Sequence, residues 1–382
     1  MPDALILGGG LAGSATALLL ARAGQSVHLI ERETGPHHKI CGEFLSIEAH
    51  QHLSELGIDP LALGAAPIER IHLIFGNALI EAPLPFKALG LSRYTLDETL
   101  IGQAAAAGAR VERGVRVLGI GQDQVRTSAG ARSGRHVILA TGKLPVRQEQ
   151  RPRRKEDDNP YVGFKMHYRL GSAARRRLDG VIQLILFDGG YAGLQLIEGG
   201  RANLCLIIRR RRLQQLGRRW ADVAKMLVSL NHCRTILTDA EPLFPRPLTI
   251  ANLVYSAPRR SEHGGPIFRL GDQAAMTAPL SGDGMALALR SAAVAAQCIG
   301  EGLGAGEYRL KYHAATKGQL FRAMALQDVL DRPVLRALGI SAARAWPGLL
   351  TRAAEATRLP EWSAASHTSH DRQDRGAISS KR

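Results

Sequence analysis

The chain has 382 residues, 45% of them hydrophobic but only 5% aromatic, which is enough for two domains or one large one with cores of Leu, Ile, Val and Ala. Four dispersed cysteines (Cys41, Cys205, Cys233, Cys298) without a C-x-x-C pair argue against a disulfide framework or a zinc site, and place the protein in a reducing compartment, by default the cytoplasm. The charge of +16 is uneven, with seventeen Lys/Arg against seven Asp/Glu between Arg147 and Arg219; solvated loops and strand ends suit this pattern best, an anionic membrane surface next, and nucleic acid least, because no aromatic residues are interleaved.

The first stretch, Ala4–Glu33, sets the organisation. A short apolar strand (Leu5–Leu7) leads through a glycine turn into an Ala/Leu helix (Leu11–Ala23), a stop at Gly24, and a second apolar strand (Val27–Ile30) that ends in Glu31. This is the first βαβ unit of a dinucleotide-binding domain. Gly8 permits the tight turn, Gly10 admits a pyrophosphate to the backbone, and Gly13 lets the helix lie close to the sheet. Glu31, eighteen residues after Gly13, is placed to hold a ribose diol. A signal peptide is the competing reading of this apolar start, but the only charge ahead of the run is the negative Asp3.

Farther along, a Gly/Pro-bounded loop (Gly35–Leu45) precedes a helix around Ser46–Leu56, and strands follow from Ile68 to Leu79. A helix over Leu96–Ala107, a strand pattern over Arg110–Gly119 and a buried-type strand, His136–Ala140, complete the first part. Arg147–Pro160 reads as a charged connection. Strand patterns at Val162–Leu170, Val181–Phe187, Tyr191–Glu198 and Ala202–Ile208, with glycine turns between them, predict an inserted antiparallel sheet, followed by a helix over Arg219–Leu230. Residues 256–305 return to the first domain through Gly271-Asp272 and a helix from about Gly284 to Ile299. Residues 306–362 have a helical pattern broken at Pro333, Pro347 and Pro360, and Ser363–Arg382 is predicted to be disordered. The boundaries expected are therefore 1–150 (with a strand insertion at about 65–90), 151–255, 256–305, 306–362 and 363–382.

The second chemical motif is Gly271–Gly284, GDQAAMTAPLSGDG. An apolar strand delivers Asp272 at its carboxyl end, towards a polyol chain, and the amides of Gly282 to Met285 open a helix facing an electron-rich ring. A pyrophosphate site and a polyol-plus-ring site at opposite ends of the chain suit one long cofactor lying across the domain. These motifs together resemble the flavoproteins with the p-hydroxybenzoate hydroxylase fold. That resemblance implies an α/β fold: a Rossmann-like FAD-binding domain (GR2 type) with an inserted antiparallel-sheet substrate domain and a helical C-terminal region. It implies FAD held by Gly8, Gly10, Leu11, Ala12, Gly13, Glu31, Arg32, Gly42, Arg93, Thr141, Gly142, Asp272, Pro279, Gly282, Gly284 and Met285, with NAD(P)H as electron donor.

Within that superfamily, PHHKICGEF (Pro36–Phe44) resembles a segment of the geranylgeranyl-reductase branch, which implies hydride transfer to a C=C bond of an apolar, isoprenoid- or polyketide-like substrate. Cys41 and Glu43 are then the catalytic candidates, Glu43 as an acid if burial raises its pKa. Tyr191, Leu194 and Leu196 are expected to line the substrate pocket. The branch's Trp and Phe-Pro are absent, so an NAD(P)H-dependent monooxygenase acting on an aromatic or polyketide substrate is the alternative. No metal site is expected: His37 and His38 lack identifiable partners, and His367, His370 and Asp371 lie in the polar tail. A cytoplasmic protein with peripheral contact to anionic membrane is the matching expectation for location.

Overall fold

The computed structural model describes residues 1–143, 146, 160–253, 255 and 266–360. The expected connection before Pro160 and the polar tail after Pro360 lie outside them.

Four-residue runs such as Ala-Leu-Ile-Leu are apolar on both faces, so they are stable only in a sheet covered on both sides. Ala4–Leu7, entirely buried, is the centre of such a sheet. It pairs in parallel with Val27–Glu31 and with His136–Leu139, and the sheet is extended by Arg110–Arg113 on one side and Phe268–Arg269 on the other. Helices Leu11–Arg22, Arg93–Ala106 and Gly284–Gly300 pack together on one face. On the other face, a three-stranded antiparallel layer (Val117–Ile120, Val125–Thr127, Gly130–Arg132) shares a core with Leu5, Leu7 and Leu139.

The second sheet is larger than the insertion expected from sequence. Tyr161–Arg169, Gly180–Phe187, Gly190–Leu196 and Ala202–Arg209 form its antiparallel part, but Ala66–Phe75 and Ala78–Gly90 join it, with Ala66–Phe75 parallel to Gly180–Phe187. The strand insertion at 65–90 therefore belongs to the sheet of the second half of the chain. Short helices (Ser172–Arg177, Arg210–Leu216, Trp220–Ser229, Asn231–Leu237) accompany this sheet, and the last three help to close its apolar face. Two of them begin or end in the arginine blocks read as loops and strand ends.

Three helices follow the cofactor-domain helix: Ala305–Asp331, Pro333–Ala345 and Gly348–Ala356. Pro333 occupies a first-turn position, where its missing N–H costs nothing, so the expected break is a helix start. Asp331 receives Tyr161 Oη–H and Arg209 Nη2 (2.6 Å), and Thr351 Oγ1 donates to Pro83 O (2.8 Å), so the helices are fastened to the large sheet.

A Cβ on Gly13 would lie 1.9 Å from Gly8 O, whereas one on Gly102, within Arg93–Ala106, would meet nothing within 4 Å. Gly13→Ala is expected to destabilise by about 3 kcal/mol or more through overpacking. Gly102→Ala should stabilise by about 0.5–1 kcal/mol. Thermal unfolding of the two variants checks both signs.

Candidate active site

The glycine turn is a cradle in which side chains have no room. Gly8 has φ +109°, and a Cβ there would lie 2.6 Å from Ala140 O. Gly10 caps the helix without a side-chain acceptor, so the first-turn amides, beginning at Leu11 and Ala12, are claimed by no capping side chain. Arg93 Nη2 and Lys39 Nζ each approach to 3.5 Å of a Cβ built on Gly10. Asp97 holds both cations: Arg93 Nε and Nη2 reach its oxygens at 2.6 and 2.9 Å, and Lys39 Nζ at 2.8 Å. Burial works to raise the Asp97 pKa, but the two cations prevail and keep it below the ordinary value. Two positive groups beside open amides suit a pyrophosphate.

Glu31 is buried and accepts the amides of Gly9 (2.6 Å) and Glu33 (3.0 Å), so it fixes the turn. Arg32 is half exposed and paired with Glu33 (2.8 Å). Across the domain, Gln273 Nε2 donates to Thr141 Oγ1 (3.0 Å) and Gly142 O (2.6 Å), while Lys143 Nζ lies 3.1 Å from Asp272. Pro279–Ser281 makes a single turn, and Gly282 follows at φ +72°, where a Cβ would strike the Phe44 ring at 2.7 Å. The helix starts at Gly284 with no side-chain cap, leaving the amides of Gly284 and Met285 open beside that turn. One path thus joins an anion cradle, a polyol-facing acid and a helix N-terminus, and the residues present fit FAD.

Between this path and the large sheet lies a cavity of about 290 Å³, walled by apolar side chains including Ile71, Leu73, Leu84, Phe86, Leu184 and Met276. Cys41 and Glu43 enter it from the loop that leads into the short strand Phe44–Leu45. Glu43 takes φ +57° and is wholly buried. One carboxylate oxygen accepts the Arg93 amide (2.8 Å) and Lys165 Nζ, and the other meets His167 Nε2 at 2.7 Å. Its backbone carbonyl accepts from Gln195 Nε2 (3.0 Å) and the Leu91 amide (3.1 Å), and the Gly42 carbonyl from Asn203 Nδ2 (2.7 Å). Burial alone would raise the Glu43 pKa, but the His167 hydrogen bond and the positive Lys165 reverse it, and the net shift is downward. Glu43 is therefore an ionised clamp with its lone pairs engaged, which corrects the expectation of a proton-donating acid.

Residues 1–137 match a family described as FAD binding domain. The chain is an FAD-dependent enzyme. It is 26% identical over 317 residues to a menaquinone reductase of Mycobacterium tuberculosis, covering 78% of this chain and 76% of that protein. A squalene monooxygenase, SE2, of Panax ginseng is 44% identical over 57 residues, 15% of this chain and 10% of that one. Among solved structures, P. aeruginosa PqsL in complex with 2-aminobenzoylacetate superposes with a TM-score of 0.68 at 18% identity, covering 87% of this chain and 98% of that one. The flavin-dependent brominase Bmp2 superposes with a TM-score of 0.73 at 17% identity over 93% of each chain. These likenesses establish the flavoprotein fold.

In this flavoenzyme the cavity face of Gly190–Leu196 carries Tyr191, Gly193 and Gln195. Leu194 and Leu196 point the other way, into the core beneath the helices, which corrects two of the three expected pocket residues. Strand alternation also explains what sequence reasoning missed. In Tyr161–Arg169, Lys165 and His167 share the face towards Glu43, while Phe164, Met166 and Tyr168 enter the opposite core. Two polar residues spaced by two in a buried strand were the available signal.

Glu43→Gln leaves Lys165 buried without a counter-charge and should cost about 3–5 kcal/mol. Since the folded pKa of Glu43 is lowered, its stabilisation is present above the ordinary value of 4.5 and is lost as pH falls through the lower folded value. Urea unfolding of both proteins from pH 3 to 8 should show this acid limb in the wild type and its weakening in Glu43→Gln.

Proposed function

We propose that the enzyme reduces a C=C bond of an apolar, isoprenoid-type substrate, of the menaquinone class, with NAD(P)H as electron donor. The observation that supports this most is the apolar cavity opening onto Phe44, Gly282 and the Gly284 helix start, with Cys41 in its wall. The long alignment with a menaquinone reductase points the same way.

FAD, when bound and reduced, supplies a hydride. The chain's own residues bring the substrate to it. The leucine- and isoleucine-lined walls exclude water and take up an extended hydrocarbon chain. Tyr191 and Tyr255 line the cavity with buried hydroxyls that have no hydrogen-bond partner among the described residues. Burial pushes both well above the ordinary tyrosine value, so both remain protonated and suit an oxygen-bearing substrate head. Cys41, whose Sγ accepts the Glu43 amide at 3.4 Å, stands in the cavity wall to donate a proton to the second alkene carbon, and solvent then replaces that proton. Glu43, clamped by Lys165 and His167, and Asn203, which donates to the Gly42 carbonyl, together position Cys41 by fixing the backbone of residues 42 and 43.

A monooxygenase is the second reading, favoured by the local identity to a squalene monooxygenase. Reduced enzyme mixed anaerobically with menaquinone should yield a product two mass units heavier that stays so after its quinone head has been reoxidised in air, whereas a product that returns to the starting mass would show reduction of the quinone head alone and overturn the C=C reading. A product sixteen units heavier, formed only with oxygen, would establish the second reading instead. Cys41→Ala should lower the anaerobic yield rate by about a hundredfold with FAD content unchanged; an unchanged rate would remove Cys41 from the reaction.

A further inference from the structure

The helix Pro333–Ala345 buries Ile340 and Ala343 against the sheet and turns its other face outward. That outward face is apolar: Val334 is 71% exposed, Leu338 62% and the following Trp346 48%, with Leu335 and Ala342 exposed as well. The spacing of Val334, Leu338 and Ala342 is that of one helical stripe. Leaving such a stripe in water is unfavourable, and no described residue covers it.

The charge around the stripe is one-sided. Between Asp331, which is paired with Arg209, and Glu355 the sequence holds four arginines and no acid. Arg332, Arg344 and Arg352 are exposed, and Arg352 stacks over the Trp346 ring at 4.7 Å. Arg336 instead faces inward, near Asp188 and over the Phe75 ring, and anchors the helix to the sheet. Apolar residues, a tryptophan and unopposed arginines on one outward face match the interface of an anionic bilayer. The inner sides of the same helical region line the cavity, through Leu326, Leu330, Leu350 and Ala354.

We infer that the outward face of Pro333–Ala345, with Trp346 and the flanking arginines, docks the enzyme onto an anionic phospholipid surface and sets the cavity beside its hydrocarbon. Delivery of a lipid substrate from the bilayer rests on the reading proposed above, but the docking itself does not.

The test is co-sedimentation of the full FAD-loaded chain, without substrate, with phosphatidylglycerol/phosphatidylcholine vesicles and with pure phosphatidylcholine vesicles. Binding to the anionic vesicles should exceed that to neutral ones by about tenfold or more and weaken with added salt. The triple variant Val334→Ser, Leu338→Ser, Trp346→Ser should lose about tenfold in binding with FAD content and thermal unfolding retained. Arg344→Glu with Arg352→Glu should lose as much on anionic vesicles alone. Equal binding by the triple variant, no binding by the wild type, or light scattering that shows a dimer dissolved by the triple variant would each overturn the proposal. Vesicle binding without turnover of menaquinone would overturn the substrate reading and leave the docking intact.

Discussion

The arrangement of this enzyme depends on one buried ion cluster. Glu43 sits in the seam between the cofactor domain and the large sheet, and among the described residues it is the carboxylate paired with Lys165, which is fully buried. An unpaired buried charge costs several kcal/mol, so the two domains can close only with Lys165 and His167 against Glu43. The same residue reads the cofactor side through the Arg93 amide, which begins the helix whose first side chain faces the glycine turn. Closure of the sheet, position of the Cys41 loop and placement of Arg93 are thus a single event. His38 completes the group: burial first, then the neighbouring His167 and Lys165, push it down to about 4, so it packs as a neutral ring against Tyr94 and Phe244.

The cofactor half was legible in the sequence because its chemistry is local. A strand, a turn without side chains and a helix must follow one another within twenty residues, and Gly8, Gly13 and Gly282 are each forced by a backbone angle or a contact that a Cβ would violate. The helix of Arg93 begins before the periodicity suggests, because Ser92 Oγ accepts the Thr95 amide (3.2 Å) while Glu198 holds the Ser92 amide (2.8 Å). That second contact crosses the chain, and no local pattern records it. The same limit hid Lys39, the second cation over Gly10, and Asp97, the acid that orients both cations. It also hid the face of Leu194 and Leu196: alternation gives two faces but not which one meets the cofactor.

Sheet membership failed for a related reason. Ala66–Phe75 is close in sequence to the cofactor domain but pairs in parallel with Gly180–Phe187, more than a hundred residues away. Strands declare their hydrophobic face in their residues, while their partner is set by the rest of the fold. The consequence is functional, because Ile71 and Leu73 on the first strand and Leu184 on the second form one continuous wall of the cavity.

The C-terminal helices close the opposite side, and their attachment reaches the ring-facing turn itself. Arg358 Nη2 donates to Ser281 O (2.8 Å), and Nη1 lies 2.8 Å from Asp283 Oδ1, an ion-pair distance outside hydrogen-bond alignment. Gln319 Nε2 on the long helix donates to the other Asp283 oxygen (2.5 Å). Burial, assisted by Glu48 and opposed by Arg358, pushes Asp283 up to about 7, so near neutral pH its charge at the start of Gly284–Gly300 is only partly expressed. A full negative charge beside the helix start would favour the amide dipoles and compete for the space they offer to an electron-rich ring. Holding that acid partly protonated, through helices that also wall the cavity, leaves the dipole of Gly284–Gly300 uncancelled by the protein at a helix start that a flavin ring would face.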